Sequence, residues 1–345
     1  MVDQTKGQRP IYFDGSFLNN NSGIGRDSRN MLKACRKVFG ENLEIIFPSL
    51  SMFDKVKVVI FGKVKRIHLP ADTILIQTHI FGILPTEPVY RHIVRLHDLF
   101  PITNPQWFRF AQRRVFVSTF KALSKNTHFI CDSESTEKEL KSINQHRKIS
   151  SEVAYCPVSI PDRESCGSCH VCLGYRPHEY LLTIGTLEPR KNYVLLAKAW
   201  IFWKKQRQTD LNLIICGNRG WKFSKILFWF KLGEKNGLIW LPQICDHGVE
   251  FLMRESNGFI SASQAEGFNL PVAEAVVIGS KIALSDIPVH RELYPNAFIF
   301  SIKKIDGLLS AFDYLDDEVS ANDLRILPYL ARIDILAKSI ARITR

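Results

Sequence analysis

The sequence has no stretch near the ~18 uninterrupted apolar residues that a spanning helix needs, so it offers no transmembrane segment. Its first fifteen residues, Met1 to Gly15, show no apolar run behind their charges and pass directly into an apolar segment. That pattern argues against a secretory or transit leader and makes the cytoplasm the expected location. The RRM, KH, zinc-finger and basic-zipper signatures are all missing, which removes nucleic acid from the expected partners. No repeat of solenoid length occurs. The eight cysteines do not form a disulfide framework, because Cys35, Cys131, Cys216 and Cys245 stand singly inside apolar segments, where a reduced thiol behaves as a small hydrophobe.

What is present is a chain of 345 residues, long enough for two domains. The net charge of +12 is uneven: residues 1–155 hold 23 Lys/Arg against 14 Asp/Glu, and the rest 23 against 20. A basic first half should meet something anionic, a phosphate-rich substrate or an anionic bilayer. Short apolar runs alternate with longer helical patterns throughout, the signature of parallel sheets wrapped by helices. Strands are expected at Ile11–Phe13, Leu43–Phe47, Thr73–Gln77, Ile93–His97 and His128–Cys131. The second half repeats the pattern at Tyr180–Ile184, Leu211–Cys216, Leu238–Leu241, Gly258–Ser261, Lys281–Leu284 and Ala297–Phe300. The fold class is therefore α/β, with two Rossmann-like doubly wound domains. Their expected bounds are 1–155 and 179–345, joined by a Pro-, Cys- and Gly-rich linker at 156–178, with a return of the last helix onto the first domain as the alternative. Thr136 with Glu139 reads as a capping box, Pro271 and Gly279 as the start and stop of a short helix, and the stretch from about Asn322 as a final helix.

The chemistry concentrates in four loops that follow expected strands. In EGFNLPVAE, Glu266 and Glu274 are eight residues apart, placed by a loop and a helix start at the carboxyl edge of a parallel sheet. Gly267 permits close backbone approach to a ligand, and the amides near Asn269–Val272 form a helix N-terminus suited to phosphate. The plainer reading is a carboxylate serving the helix dipole and another in a solvated loop. In TIGTLEPRKN, Arg190 and Lys191 bring two cations to the same edge, where they either hold a diphosphate or remain a solvated pair. ICGNRGW, residues 215–221, places a third loop on that edge. In the first half, Gly23 and Gly25 of NNNSGIGRDS allow close approach of a phosphate or sugar, or simply make a tight turn. His97 ends a strand beside Asp98, in position for a substrate contact or as a satisfied structural histidine.

GTLEPRKN, GNRGW, ASQAEGFNLPVAEAVVIGSKIALSDIPVHRE and the SGIGR loop together resemble glycosyltransferase family 4, the retaining GT-B enzymes, over about residues 10–300. The resemblance implies two Rossmann-like domains whose parallel sheets face across a cleft, the first binding the acceptor and the second a nucleotide sugar. It implies that Glu274 accepts from ribose hydroxyls and Glu266 meets the donor sugar. Arg190 and Lys191 would take the diphosphate, while Gly267, Phe268, Asn269 and Leu270 present backbone to sugar and phosphate. His97 would touch the transferred sugar and Gly25 the phosphate. HDLFPITNP resembles bacterial O-antigen and capsule mannosyltransferases, which favours GDP-mannose as donor and a polysaccharide or lipid-linked glycan as acceptor. No metal cofactor is implied. The rivals are a nucleotide-sugar epimerase or phosphorylase on the same scaffold, and a catalytically inactive glycan- or phosphate-binding subunit of an assembly complex.

Three features depart from the family. Asn269 stands where a small residue is usual, which is expected to crowd the sugar pocket, and the aromatic Ser-Trp element before the last helix is missing. The linker run CGSCHVC is foreign to the family: Cys166, Cys169 and Cys172, with His170 and the upstream Cys156, read either as a structural zinc site or as unligated thiols. Finally, KVKVVIFGKVKR (55–66) and WFRFAQRRVFVSTFK (107–121) interleave cations with apolar residues. They read as an ordinary strand and helix, or as segments that lie on an anionic leaflet at the inner face of the plasma membrane.

Overall fold

In a computed structural model the protein is described at residues 9–20, 22–80, 83–144, 149–158, 174–207, 209–317 and 333–344. The chain divides into two compact units, Met1–Pro157 with Tyr329–Arg345, and Val158–Pro328. Cys166, Cys169 and Cys172 lie outside the described residues, as does the start of the expected final helix.

The first unit runs β1 (Ile11–Asp14), α1 (Gly23–Phe39), β2 (Leu43–Ile46), α2 (Met52–Phe61), β3 (Arg66–Ile67), β4 (Ile74–Gln77), β5 (Leu84–Pro85) and β6 (Arg91–Leu96). It continues with α3 (Phe100–Thr103), α4 (Phe110–Ala122), β7 (Thr127–Cys131), α5 (Glu134–Ile143) and β8 (Ser150–Val153). Six strands form one parallel sheet in the order β2-β1-β4-β6-β7-β8, and β3 pairs with β5 beside it. The central strands are buried along nearly their whole length, because helices cover both faces of a parallel sheet. β8, of sequence Ser-Ser-Glu-Val, is a polar edge strand that hydrophobic patterning does not reveal.

Local chemistry corrects two expectations. Residues 55–61 read as a strand by alternation, yet they are helical, because Ser51 and Asp54 form a reciprocal capping box and Gly62 ends the helix in the left-handed region at φ 68°. The cap of α5 is Ser133, whose hydroxyl accepts from the Thr136 amide at 3.1 Å, rather than Thr136 itself.

The second unit runs β9 (Tyr180–Ile184), α6 (Tyr193–Arg207), β10 (Asn212–Cys216), α7 (Ser224–Gly233), β11 (Leu238–Leu241) and α8 (Asp246–Glu255). Then follow β12 (Gly258–Ser261), α9 (Leu270–Ile278), β13 (Ile282–Ser285), α10 (Pro288–Leu293), β14 (Phe298–Phe300) and α11 (Asp306–Asp316). The parallel sheet is ordered β11-β10-β9-β12-β13-β14. The chain winds outward from β9 in one direction and then restarts at β12 in the other, so a topological switch point opens between β9 and β12. The core on one face is aromatic: Trp200 and Trp203 of α6 pack on Phe312 of α11 at 5.3 and 5.5 Å between centroids. Both indole N–H groups are satisfied, by the Asn236 carbonyl at 2.9 Å and Asp313 Oδ1 at 2.8 Å.

The last helix, α12 (Ile333–Thr344), belongs to the first unit. Its Leu336, Ala337, Ile340 and Ile343 enter the core formed by Met31, Ala34 and Cys35 of α1 and by β1 and β4. Lys37 of α1 pairs with Asp334 at 2.7 Å. Ile340 is fully buried in that core. Ile340→Ala should therefore lower the unfolding free energy of the first unit by about 2–5 kcal/mol in urea titration, and a loss under 1 kcal/mol would show that α12 is not packed there.

Candidate active site

In the second unit the loops after β9 and β12 meet at the switch point. The loop after β9 closes in a 3-10 turn, Pro189–Lys191, stopped by Asn192 at φ 58°. It runs against the loop after β10 so closely that a Cβ on Gly217 would lie 2.0 Å from the Gly185 carbonyl oxygen. Hydrogen bonds lace these two loops: the Leu187 amide donates to Asn218 at 2.9 Å, and the Gly220 amide to Leu187 at 3.2 Å. Across the switch point the Gln264 amide donates to the Arg190 carbonyl at 2.8 Å, which ties the loop after β12 to the cation-bearing turn.

Glu266 is the hub. Its Oε1 accepts from Lys191 Nζ and from Ser263 Oγ, both at 2.7 Å, and its Oε2 accepts from Arg190. Arg190 also donates to Glu188 at 2.6 Å and to the Ala265 carbonyl at 2.9 Å. The Glu266, Glu188 and Lys191 side chains are nearly buried, so these are charge-assisted bonds in a low-dielectric setting. Burial alone would raise the Glu266 pKa, but Arg190 and Lys191 outweigh it and hold the group at about 2. Glu266 is thus a carboxylate at neutral pH. It cannot deliver a proton, and it is placed to orient two cations or to accept from hydroxyls.

From this hub the chain passes through buried Gly267 and Phe268 to Asn269, the N-cap of α9 in the left-handed region at φ 72°. The Asn269 amide nitrogen donates to Ser261 Oγ at 3.1 Å and to His290 Nε2 at 2.9 Å, so its side chain is held by the protein rather than thrust outward to crowd a sugar. His290 Nδ1 donates to the Ser285 carbonyl at 2.9 Å, which fixes a neutral ring with its proton on Nδ1. Burial agrees, lowering the His290 pKa to about 4. Of the helix-start amides, Pro271 has none and Val272 bonds to the Asn269 carbonyl at 3.0 Å. Leu270 is the first residue of α9, and Glu274, 4% exposed, lies in its second turn.

The first unit has a second charged cluster at its own carboxyl edge. Arg95 of β6, fully buried, lies 2.9 Å from Asp27 of α1 and 2.8 Å from Asp132 after β7. Its guanidinium also reaches the Ala154 carbonyl at 2.6 Å and Cys156 Sγ at 3.2 Å. Among the described residues Asp27, Asp132 and Cys156 have metal-ligand spacing. The cation among them is Arg95, which also engages the Cys156 thiol that was a candidate zinc ligand. His97 places Nδ1 2.7 Å from Asp132 and Nε2 2.9 Å from the Thr78 carbonyl. Both partners are acceptors, and only a doubly protonated ring donates to both. Burial opposes that charge, but Asp132 prevails and the His97 pKa is raised to about 9. Gly25 sits in the first turn of α1, where a Cβ would fall 1.7 Å from the Asn20 carbonyl oxygen. That close approach requires glycine for the turn itself.

The structure therefore brings Arg190, Lys191 and Glu266 into one cluster and continues from it through Gly267, Phe268, Asn269 and Leu270 to Glu274. His97 and Gly25 belong to the other unit. Glu188 and Ser263 carry no motif signal of their own, although each stands within three residues of Arg190 or Glu266. His290 and the Asp27–Arg95–Asp132 cluster, whose members are far apart in the chain, likewise show only in the fold.

This α/β architecture is the GT-B fold of glycosyltransferases, and residues 175–318 match the family model of the glycosyl transferases group 1. A stretch of 230 residues is 27% identical to the serotype-specific mannosyltransferase WbdA of Escherichia coli, covering 60% of this chain and 27% of that protein. The chain thus spans about a quarter of that relative's length. Among solved structures, WaaG, a glycosyltransferase involved in lipopolysaccharide biosynthesis, superposes with a TM-score of 0.63 at 13% identity over 96% of this chain and 95% of its own. HepE of Anabaena, crystallised with UDP and glucose, gives 0.61 at 15% identity over 96% and 94%. At these identities the superpositions establish the fold alone. Among the described residues no helix is long and apolar enough to cross a membrane.

Two titrations follow from the geometry. The Glu266 pKa is depressed, so its contribution to stability is complete above pH 4.5 and lost as pH falls toward 2. The His97 pKa is raised, so its contribution is complete below pH 6.5 and lost as pH rises through 9. The melting temperature should fall between pH 6.5 and 9 in the wild type and less so in His97→Gln. Identical slopes in the two proteins over that interval would contradict the imidazolium.

Proposed function

We propose that the protein is a retaining glycosyltransferase that moves a hexose, with mannose favoured, from a nucleotide-diphosphate sugar to a polysaccharide or lipid-linked glycan. The observation that carries this reading is the cluster of Arg190, Lys191 and Glu266 at the switch point of the second unit, inside the stretch that matches the group 1 family model. In open parallel α/β sheets this is where ligands bind.

Donor diphosphate takes over Arg190 and Lys191 from Glu266, through a guanidinium fork and an ammonium point charge. The backbone of Gly267 to Leu270 lies beside it at the start of α9, whose dipole favours negative charge. Charge that builds on the departing nucleotide is met by these fixed groups, and they lower the barrier because they need no reorganisation. Glu266 gives up its direct bonds to the cations but stays near enough to them to remain ionised, and it accepts from the donor sugar's hydroxyls, while Glu274 accepts from the ribose. The acceptor hydroxyl attacks the face the nucleotide leaves and passes its proton to the leaving phosphate. This front-face course rests on the family resemblance. Asp132 and Thr78 take both N–H groups of His97 and hold it as a cation at the edge of the first unit, where it meets the sugar through its charge and ring edge and not as a base. Gly25 is assigned to the turn that sets α1, with the phosphate contact as its proposed second role. GDP-mannose is the favoured donor, its mannose supported by the name of the relative WbdA and its nucleotide by the family resemblance, and the acceptor is presented at the cytoplasmic face of a membrane.

Transfer of labelled mannose from GDP-mannose to a lipid-linked glycan tests this. Lys191→Ala and Glu274→Ala should each reduce turnover by about 10²-fold or more while the protein stays folded, and wild-type turnover in either would refute the site. Because side chains and helix dipoles supply the positive charge, activity should survive EDTA. Loss on chelation with recovery on adding Mg²⁺ or Mn²⁺ would contradict the proposed charge stabilisation.

A further inference from the structure

Helix α2 is built the wrong way round for a soluble surface helix. Only Val58 is buried on it, at 1% exposure, while Phe53, Ile60 and Phe61 are 66%, 60% and 67% exposed and Met52 is 78%. Met52, Val56 and Ile60 recur at i, i+4 and i+8, so they line one face, with Phe53 beside them. On the helical wheel that face points away from Val58. An amphipathic helix of a globular domain buries such a stripe, and a contiguous exposed one marks a docking surface.

Helix α4 packs beside α2. Phe110, its first residue, is 71% exposed, and the Arg114 guanidinium reaches Gly62 at the end of α2, within 3.9 Å of where a Cβ would stand. The charges are of one sign. Residues 51–66 and 107–121 together hold nine Lys/Arg and a single carboxylate, Asp54, which is taken by Lys65 at 3.0 Å. Lys57 folds its ammonium over the Phe53 ring at 4.3 Å, an apolar stem with a charged tip at the edge of the stripe.

We infer that the α2 face with the start of α4 seats the first unit on an anionic bilayer, the aromatic and aliphatic side chains entering the headgroup boundary and the cations pairing with lipid phosphates. The excess of one sign chooses the occupant. A second copy of this chain docked through the same face would set these cations against their equals, whereas an anionic leaflet complements both the stripe and its rim. The surface goes beyond the transferase reading and does not depend on it.

Co-sedimentation of the full chain with vesicles of phosphatidylcholine containing increasing phosphatidylglycerol tests the inference without any activity readout. Binding should rise with phosphatidylglycerol and fall with added salt, and the triple change Phe53→Ser, Ile60→Ser and Phe61→Ser should weaken it about tenfold or more. These side chains face solvent, so the melting temperature should not drop. If it does, Arg109→Glu with Arg113→Glu supplies the same test through charge. Binding that ignores lipid charge, or that both variants retain, overturns the inference. A dimer that the triple variant dissolves, with no vesicle binding, overturns it in favour of self-association.

Discussion

The second unit turns on one carboxylate. Glu266 holds Arg190 with one oxygen and Lys191 with the other, and so draws the loop after β12 onto the turn after β9 across the switch point of the sheet. The turn carries two positive charges that nearly buried surroundings would penalise, and Glu266 with Glu188 balances them. A cluster that is neutral at rest, on loops locked by backbone hydrogen bonds, is a preorganised site. An arriving diphosphate meets cations already placed, and the carboxylate it displaces remains beside the sugar.

The first unit shows the same arithmetic with other residues. Two cations, Arg95 and the imidazolium of His97, are matched by Asp27 and Asp132 at the carboxyl edge of its sheet. Here the guanidinium is fully buried and bonded on several sides, so it ties α1, β6 and the segments after β7 and β8 together. His97 inherits its charge state from that cluster, because Asp132 faces both cations. A change at Asp27 or Arg95 would therefore be felt at His97 without touching it.

The fold was legible because parallel strands buried on both faces are continuous apolar runs, and ten of the eleven expected strands needed no more than that signal to be placed within one residue at either end. The eleventh, Ile93–His97, runs from Arg91 to Leu96, still within two residues. What escaped was held by other forces. β8 is polar and gains its place from ladder bonds at an edge, and α2 hides its helical nature behind Lys-Val alternation until the Ser51–Asp54 cap is considered. The site divides in the same way. Arg190, Lys191, Glu266 and Glu274 stood out through charge and spacing, whereas Glu188 and Ser263 are common polar residues whose role exists only once the loops are folded together. Asp27, Arg95 and Asp132 are brought together by topology alone.

The Glu266 cluster is proposed as a diphosphate site. Calorimetric titration of the full chain with GDP and with guanosine, in wild type and Lys191→Ala, addresses it directly, since the two ligands differ only in the diphosphate. GDP should bind wild type at least about tenfold more tightly than guanosine, a gap of about 1.4 kcal/mol or more, and Lys191→Ala should close most of that gap. Equal affinity of the two ligands for the wild type, or a gap unchanged by Lys191→Ala, would contradict it.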